Sequence, residues 1–116
     1  MPSQDPSCIF CKIASGETKA EVVLEDERVV AFRDINPVAP LHVLVIPREH
    51  IETIAHTEDE ALAGHIALTA ARIAKREGYG ESGFRLVTNV GPNAGQSVGH
   101  LHVHVLAGRP LSWPPG

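Results

Sequence analysis

Three histidines alternate in the run Gly99-His100-Leu101-His102-Val103-His104-Val105-Leu106. An extended strand repeats its side chains every second residue, so all three imidazoles point to one face. Leu101, Val103 and Val105 point to the other face, where they can enter a core. No packing rule asks for three histidines along one face. Solvated strand positions and hydrogen-bonded core histidines are the plain alternatives. The strict alternation points instead to chemistry. An imidazole titrates near neutrality, ligates metals and serves as base or nucleophile, so a metal site and a nucleophilic or acid–base site are both open, and the two can coexist.

Cys8 and Cys11 are the two cysteines of the chain, spaced C-x-x-C. A single disulfide would be an odd staple for a chain of this size. In a reducing compartment the pair reads as half a metal site or as a redox motif. No second C-x-x-C follows, so a zinc site would need histidines to complete it, and the chain has seven.

The loop over residues 91–97 enters the histidine run. It lacks the Lys-Ser/Thr pair of a Walker loop. Gly95 permits close approach of the backbone to an oxyanion, and Ser97 supplies a hydroxyl. A phosphate beside an imidazole suits nucleophilic attack at phosphorus.

These groups need a scaffold. Residues 9–14 predict a short helix closed by Gly16. Residues 21–25 and 28–32 read as a hairpin turning at Asp26-Glu27. Pro37 and Pro40 make 34–40 a loop, since proline cannot sit in a central strand. A third strand over 41–46 ends at Pro47, with His42, Leu44 and Ile46 on one face and Val43 and Val45 on the other. Thr57 and Glu60 form a capping box for a helix reaching about Glu77, with Leu62, Ile66, Ala70 and Ile73 in one stripe. His65 within that helix reads as solvated or packed rather than ligating. Gly78 and Gly80 stop the helix, 84–89 is a fourth strand, and the histidine run is a fifth. The expected fold class is α+β, an antiparallel sheet of about five strands with one main helix and a short N-terminal helix.

A length of 116 residues predicts one domain, 1–116, with a loose segment at 1–6 and a C-terminal tail at 107–116. The net charge of −4 and the lack of a basic block argue against binding a nucleic-acid polymer, but leave a single nucleotide as a candidate ligand. No signal pattern or membrane-length apolar run is visible, so a cytoplasmic protein without membrane contact is expected.

The ordered motifs resemble the histidine triad (HIT) family, in its nucleotide-binding Hint branch. The triad pattern is matched by His100 to Leu106. Phe32-Arg33-Asp34-Ile35-Asn36-Pro37, Pro40-Leu41-His42-Val43-Leu44-Val45-Ile46-Pro47, Gly95-Gln96-Ser97-Val98 and Trp113-Pro114-Pro115-Gly116 are also similar. The resemblance runs from about Cys8 to the C-terminus. It implies a HIT-like fold, a homodimer with one continuous sheet, and binding of purine nucleoside monophosphates or adenylated small molecules. It also implies hydrolysis of nucleoside 5′-phosphoramidates and related adenylates. By that resemblance His102 is the nucleophile that becomes nucleotidylated, and His104 bonds the phosphate or bridging atom. His42 orients the site. Asn89, Gly95, Gln96 and Ser97 lie at the phosphate or leaving group, with Ser97 also counted as catalytic. Asp34 accepts the ribose hydroxyls, Ile35 packs the base, Asn36 belongs to the nucleotide-binding set, and Trp113 reaches the leaving-group side across the dimer. Many bacterial members resemble this chain in the C-x-x-C, which implies structural zinc on Cys8, Cys11, His50 and His100; His56 is the nearest rival to His50. Asn36, where some members have Ser, and Gly99, where animal members carry an aromatic, depart from the pattern and bear on substrate choice.

Two other functions are expected to compete: a zinc-dependent hydrolase whose three strand histidines bind one catalytic metal, and a nucleotide-binding regulatory module with little turnover.

Overall fold

The computed structural model describes residues 4–116. Helix α1 covers Ile9–Ser15, then come strands β1 Val22–Glu25, β2 Val29–Arg33 and β3 Leu41–Pro47. Helix α2 covers Glu60–Arg76, followed by β4 Phe84–Val87 and β5 Val103–Ala107. Single 3-10 turns occupy Ile54–His56 and Pro92–Ala94. The sheet order is β1-β2-β3-β5-β4, with every neighbouring pair antiparallel. This is the expected α+β architecture.

Alternation on the strands divides the core in two. Val29, Ala31, Val43, Val45 and Val105 face α2 and pack with Leu62, Ile66, Ala70 and Ile73. Val30, Phe32, Leu44 and Ile46 face α1 and pack with Phe10 and Ala14. Strand β3 is therefore buried along its whole length, which explains its unbroken apolar run. One row crosses the α1 face of the sheet: Val22 pairs with Phe32, Phe32 with Leu44, and Leu44 with His104. The row carries the histidine strand's chemistry onto the face covered by α1.

Several boundaries differ from the sequence expectation. The histidine strand begins at Val103, because Leu101 donates its N–H to the Ile51 carbonyl instead of joining the ladder. Its last residue is Ala107, paired with Leu41 and Phe84, so the tail starts at Gly108 rather than at 107. Gly108 (φ 97°) turns against Pro40, where a Cβ would sit 2.7 Å from the proline ring. Strand β4 ends at Val87, leaving Asn89 in the following loop. The cap of α2 is Asp59, whose carboxylate accepts from the Leu62 N–H at 3.0 Å. Thr57 instead accepts from the Asp59 N–H, so the cap lies two residues later than expected and the expected capping box does not form. Of the segment expected to be loose, residues 1–3 lie outside the described residues. Asp5 and Ser7 form a hydrogen-bonded turn that delivers Cys8 to the start of α1. No helix among the described residues is long and apolar enough to cross a membrane.

Candidate active site and metal centre

The hydrogen bonds around the histidines assign each ring its tautomer. His42 Nδ1 accepts from the Val38 N–H at 3.1 Å, so its Nε2 carries the proton. That Nε2–H points at His104 Nδ1, 2.9 Å away, with Asp34 Oδ2 at 3.4 Å. His104 is thereby an acceptor at Nδ1 and a donor at Nε2. His102 donates its Nδ1–H to the carbonyl of His100 at 2.7 Å, which leaves a lone pair on Nε2. The ring of Phe10 meets the His102 ring edge-on at 5.1 Å, and the His104 ring lies 5.0 Å from it. His102 is 5% exposed.

Burial, and then the neighbouring His102 and His42 rings, push the His104 pKa down to about 4, although Asp34 opposes this. Burial also lowers His42, again against the pull of Asp34. Both rings are neutral at pH 7. The arrangement thus holds a buried imidazole, His102, whose tautomer presents its lone pair at Nε2, beside a neutral imidazole, His104, that offers an N–H.

A cavity of about 330 Å³ opens beside His102 and His104. Asp34, Ile35 and Ser97 line it together with Phe10, Phe32 and Leu44. The last three were not singled out from sequence, because apolar residues at strand and helix positions read the same whether they fill a core or wall a pocket. Asn36, Asn89, Gly95, Gln96 and Trp113 are not among its lining residues. Gln96 has spent its amide on the loop: Oε1 accepts from Gly91 N–H, and Nε2 donates to the carbonyls of Glu52 and Val98. Trp113 is 81% exposed.

A second cluster lies at the start of the histidine run. His100 donates its Nε2–H to the Pro47 carbonyl at 2.9 Å, which turns the Nδ1 lone pair toward Cys8 Sγ (3.2 Å) and Cys11 Sγ (3.5 Å). His50 Nδ1 lies 3.3 Å from Cys11 Sγ. All four donor atoms fall within 4.8 Å of one another. Zinc bond lengths of about 2.3 Å to sulfur and about 2.05 Å to nitrogen put these atoms about 3.5 Å apart in a tetrahedron. The observed edges match that figure, so the donor set fits zinc. His56 is not part of this cluster; its Nδ1 faces the Thr53 hydroxyl at 2.6 Å. The three alternate imidazoles do not converge on one point, since each Nδ1 has a different partner.

The HIT domain family matches residues 15–111. A relative from Zea mays, the 14 kDa zinc-binding protein, is 47% identical over 97% of this chain and 90% of its own. The crystal structure of a HIT family hydrolase from Legionella pneumophila superposes with a TM-score of 0.92 at 50% identity, covering 95% of this chain and all of that one. A histidine triad nucleotide-binding protein from Candida albicans gives a TM-score of 0.81 at 31% identity, covering 93% of this chain and 83% of that one.

Proposed function

The chain belongs to the HIT family, and from that premise we propose that it hydrolyses purine nucleoside 5′-phosphoramidates and related adenylates through a nucleotidyl-His102 intermediate. The observation that carries this reading is the 2.7 Å bond from His102 Nδ1 to the His100 carbonyl, which fixes the ring in the tautomer that presents its lone pair at Nε2. Nε2 of His102 attacks the α-phosphorus. The P–N bond breaks, its electron pair leaves with the amine, and the amine takes up a proton from solvent, which the attacking water returns in the second step. Water then attacks the same phosphorus, the Nε2–P bond breaks, and nucleoside monophosphate and neutral His102 result. The Nε2–H of His104, backed by His42, stabilises charge on the phosphoryl oxygens. Ser97, Gly95 and Asn89 serve the phosphate and leaving-group side. Asp34 accepts the ribose hydroxyls, and Ile35 and Asn36 flank the base. Gln96 supports this loop through its amide bonds.

Cys8, Cys11, His50 and His100 would hold zinc through four protein ligands, and its binding would supply folding free energy rather than chemistry. The separate partners of the three triad rings favour this over one catalytic zinc on His100, His102 and His104. The working unit is a cytoplasmic homodimer, with Trp113 reaching the partner's leaving-group side.

The test is incubation with adenosine 5′-phosphoramidate, an acid-free quench and peptide mass analysis. An adenylyl adduct on the peptide carrying His102, absent from His102→Ala, is expected. Rapid turnover by His102→Ala would overturn the covalent route. Nucleotide binding with no turnover and no adduct would favour the regulatory module.

A further inference from the structure

The cavity beside the triad is a slot that runs across the sheet. One end lies at His104 on β5, and the row of paired residues then passes Leu44 on β3 and Phe32 on β2 to reach Val22 on β1. Thr18, Lys19 and Ala20, which lead into β1, line the cavity as well. Three strand spacings, about 14 Å, separate His104 from Val22 along this row. Between them the walls are apolar, formed by Phe10, Phe32 and Leu44.

Two cationic side chains line this slot. Arg33 is spent: its guanidinium lies 2.8 Å from Glu21 and 3.0 Å from Glu77. Lys19 is exposed and, among the described residues, has no carboxylate partner. The slot therefore offers one cationic residue without a carboxylate partner among the described residues, and it lies just before β1.

We infer that Lys19 reads the outer edge of the base and selects 6-oxopurine nucleotides over 6-aminopurine ones. The inference rests on the nucleotide reading given above and adds the substrate class. An ammonium has three donors and no acceptor. A 6-oxopurine presents O6 and N7, two adjacent acceptors, which is why lysine and arginine pair with guanine. A 6-aminopurine presents N7 beside an N–H₂ donor, which meets the ammonium donor to donor. The Thr18 hydroxyl, both donor and acceptor, tolerates either edge.

The experiment is calorimetric titration of the full chain, Lys19→Ala and Lys19→Glu with GMP, IMP and AMP. GMP and IMP are expected to bind alike and about fivefold or more tighter than AMP. Lys19→Ala is expected to bring the GMP/AMP ratio near one by weakening GMP and IMP. Lys19→Glu is expected to turn the preference toward AMP, because a carboxylate accepts from the amino group. Equal or tighter binding of AMP by the wild type overturns the inference. So does an unchanged ratio in Lys19→Ala, and so does IMP falling to the level of AMP, which would mean the 2-amino group is read instead. If none of the three nucleotides binds, the nucleotide reading itself fails, and that result is distinct from a lost preference.

Discussion

His102 takes its orientation from His100: the Nδ1–H of the first donates to the carbonyl oxygen of the second at 2.7 Å. His100 also turns its own Nδ1 toward Cys8 and Cys11. One residue thus belongs to the Cys8, Cys11 and His50 cluster by its side chain and to His102 by its backbone. Replacing His102 itself separates chemistry from binding. His102→Ala is expected to fold and still bind nucleotide, while the barrier to phosphoramidate hydrolysis rises by at least ~3 kcal/mol. Single-turnover rates and nucleotide titration on the same sample check it.

Thr88 steadies the same backbone from β4's end. Its hydroxyl donates to the His102 carbonyl at 2.9 Å, where the strand ladder has already stopped. Thr88→Val removes that bond, worth about 1 kcal/mol, and is expected to lower kcat about fivefold with KM little changed. Thr88→Ser is expected to restore the rate. A Thr88→Val enzyme with normal kcat would show that the bond does not act on the nucleophile.

The buried neutral His104 makes stability depend on pH. Its folded pKa of about 4 lies below the ordinary value of 6.5, so between these limits the unfolded chain binds more protons than the folded one. The sign follows: this contribution is complete above pH 6.5 and is lost as pH falls toward 4. Urea unfolding is expected to show about 1–3 kcal/mol less stability at pH 4.5 than at pH 7.5 from this group. His104→Gln should show a smaller loss over the same range. An equal loss in both proteins would assign the effect to other groups.

Trp113 is expected to act on substrate choice rather than on the fold. The tail is tethered by Arg85, whose guanidinium donates to the carbonyls of Leu111 and Ser112, yet the indole remains exposed. Trp113→Ala should change stability by no more than about 0.5 kcal/mol. Relative rates across phosphoramidates with small and large amines should shift more clearly. Identical substrate profiles would leave the indole without a role at the leaving group.

Much of this site is legible in the sequence because period-2 alternation survives into the structure. His104 lies in the same row as Leu44 and Phe32, and Leu101 and Val105 reach the opposite core. The start of β5 is not legible, since the choice between ladder and loop depends on the distant Ile51 carbonyl that captures the Leu101 N–H. The cap of α2 is ambiguous for a local reason. Thr57 and Asp59 are both good capping residues, and the structure uses Asp59 on the helix and Thr57 on Asp59. The slot walls are hidden because Phe10, Phe32 and Leu44 satisfy core and pocket patterns equally. Lys19 becomes meaningful only once folding brings it to the cavity that His104 also lines.

Zinc removal tests whether the metal cluster and the nucleophile are separable. Zinc on Cys8, Cys11, His50 and His100 would tie α1 to the residues after β3 and to the start of the histidine run. A site that is absent from the unfolded chain adds its binding free energy to folding, so chelation should lower the melting temperature clearly. Cys8→Ser combined with Cys11→Ser should do the same. The activity should fall only in part, because the His100 carbonyl that orients His102 is backbone and Leu101 remains bonded to Ile51. Metal content per chain, melting temperature and phosphoramidase rate are measured on the same samples. A double mutant that keeps one full zinc and melts like the wild type would show that the four ligands are wrongly assigned. One that stays folded but loses activity as completely as His102→Ala would show a catalytic metal.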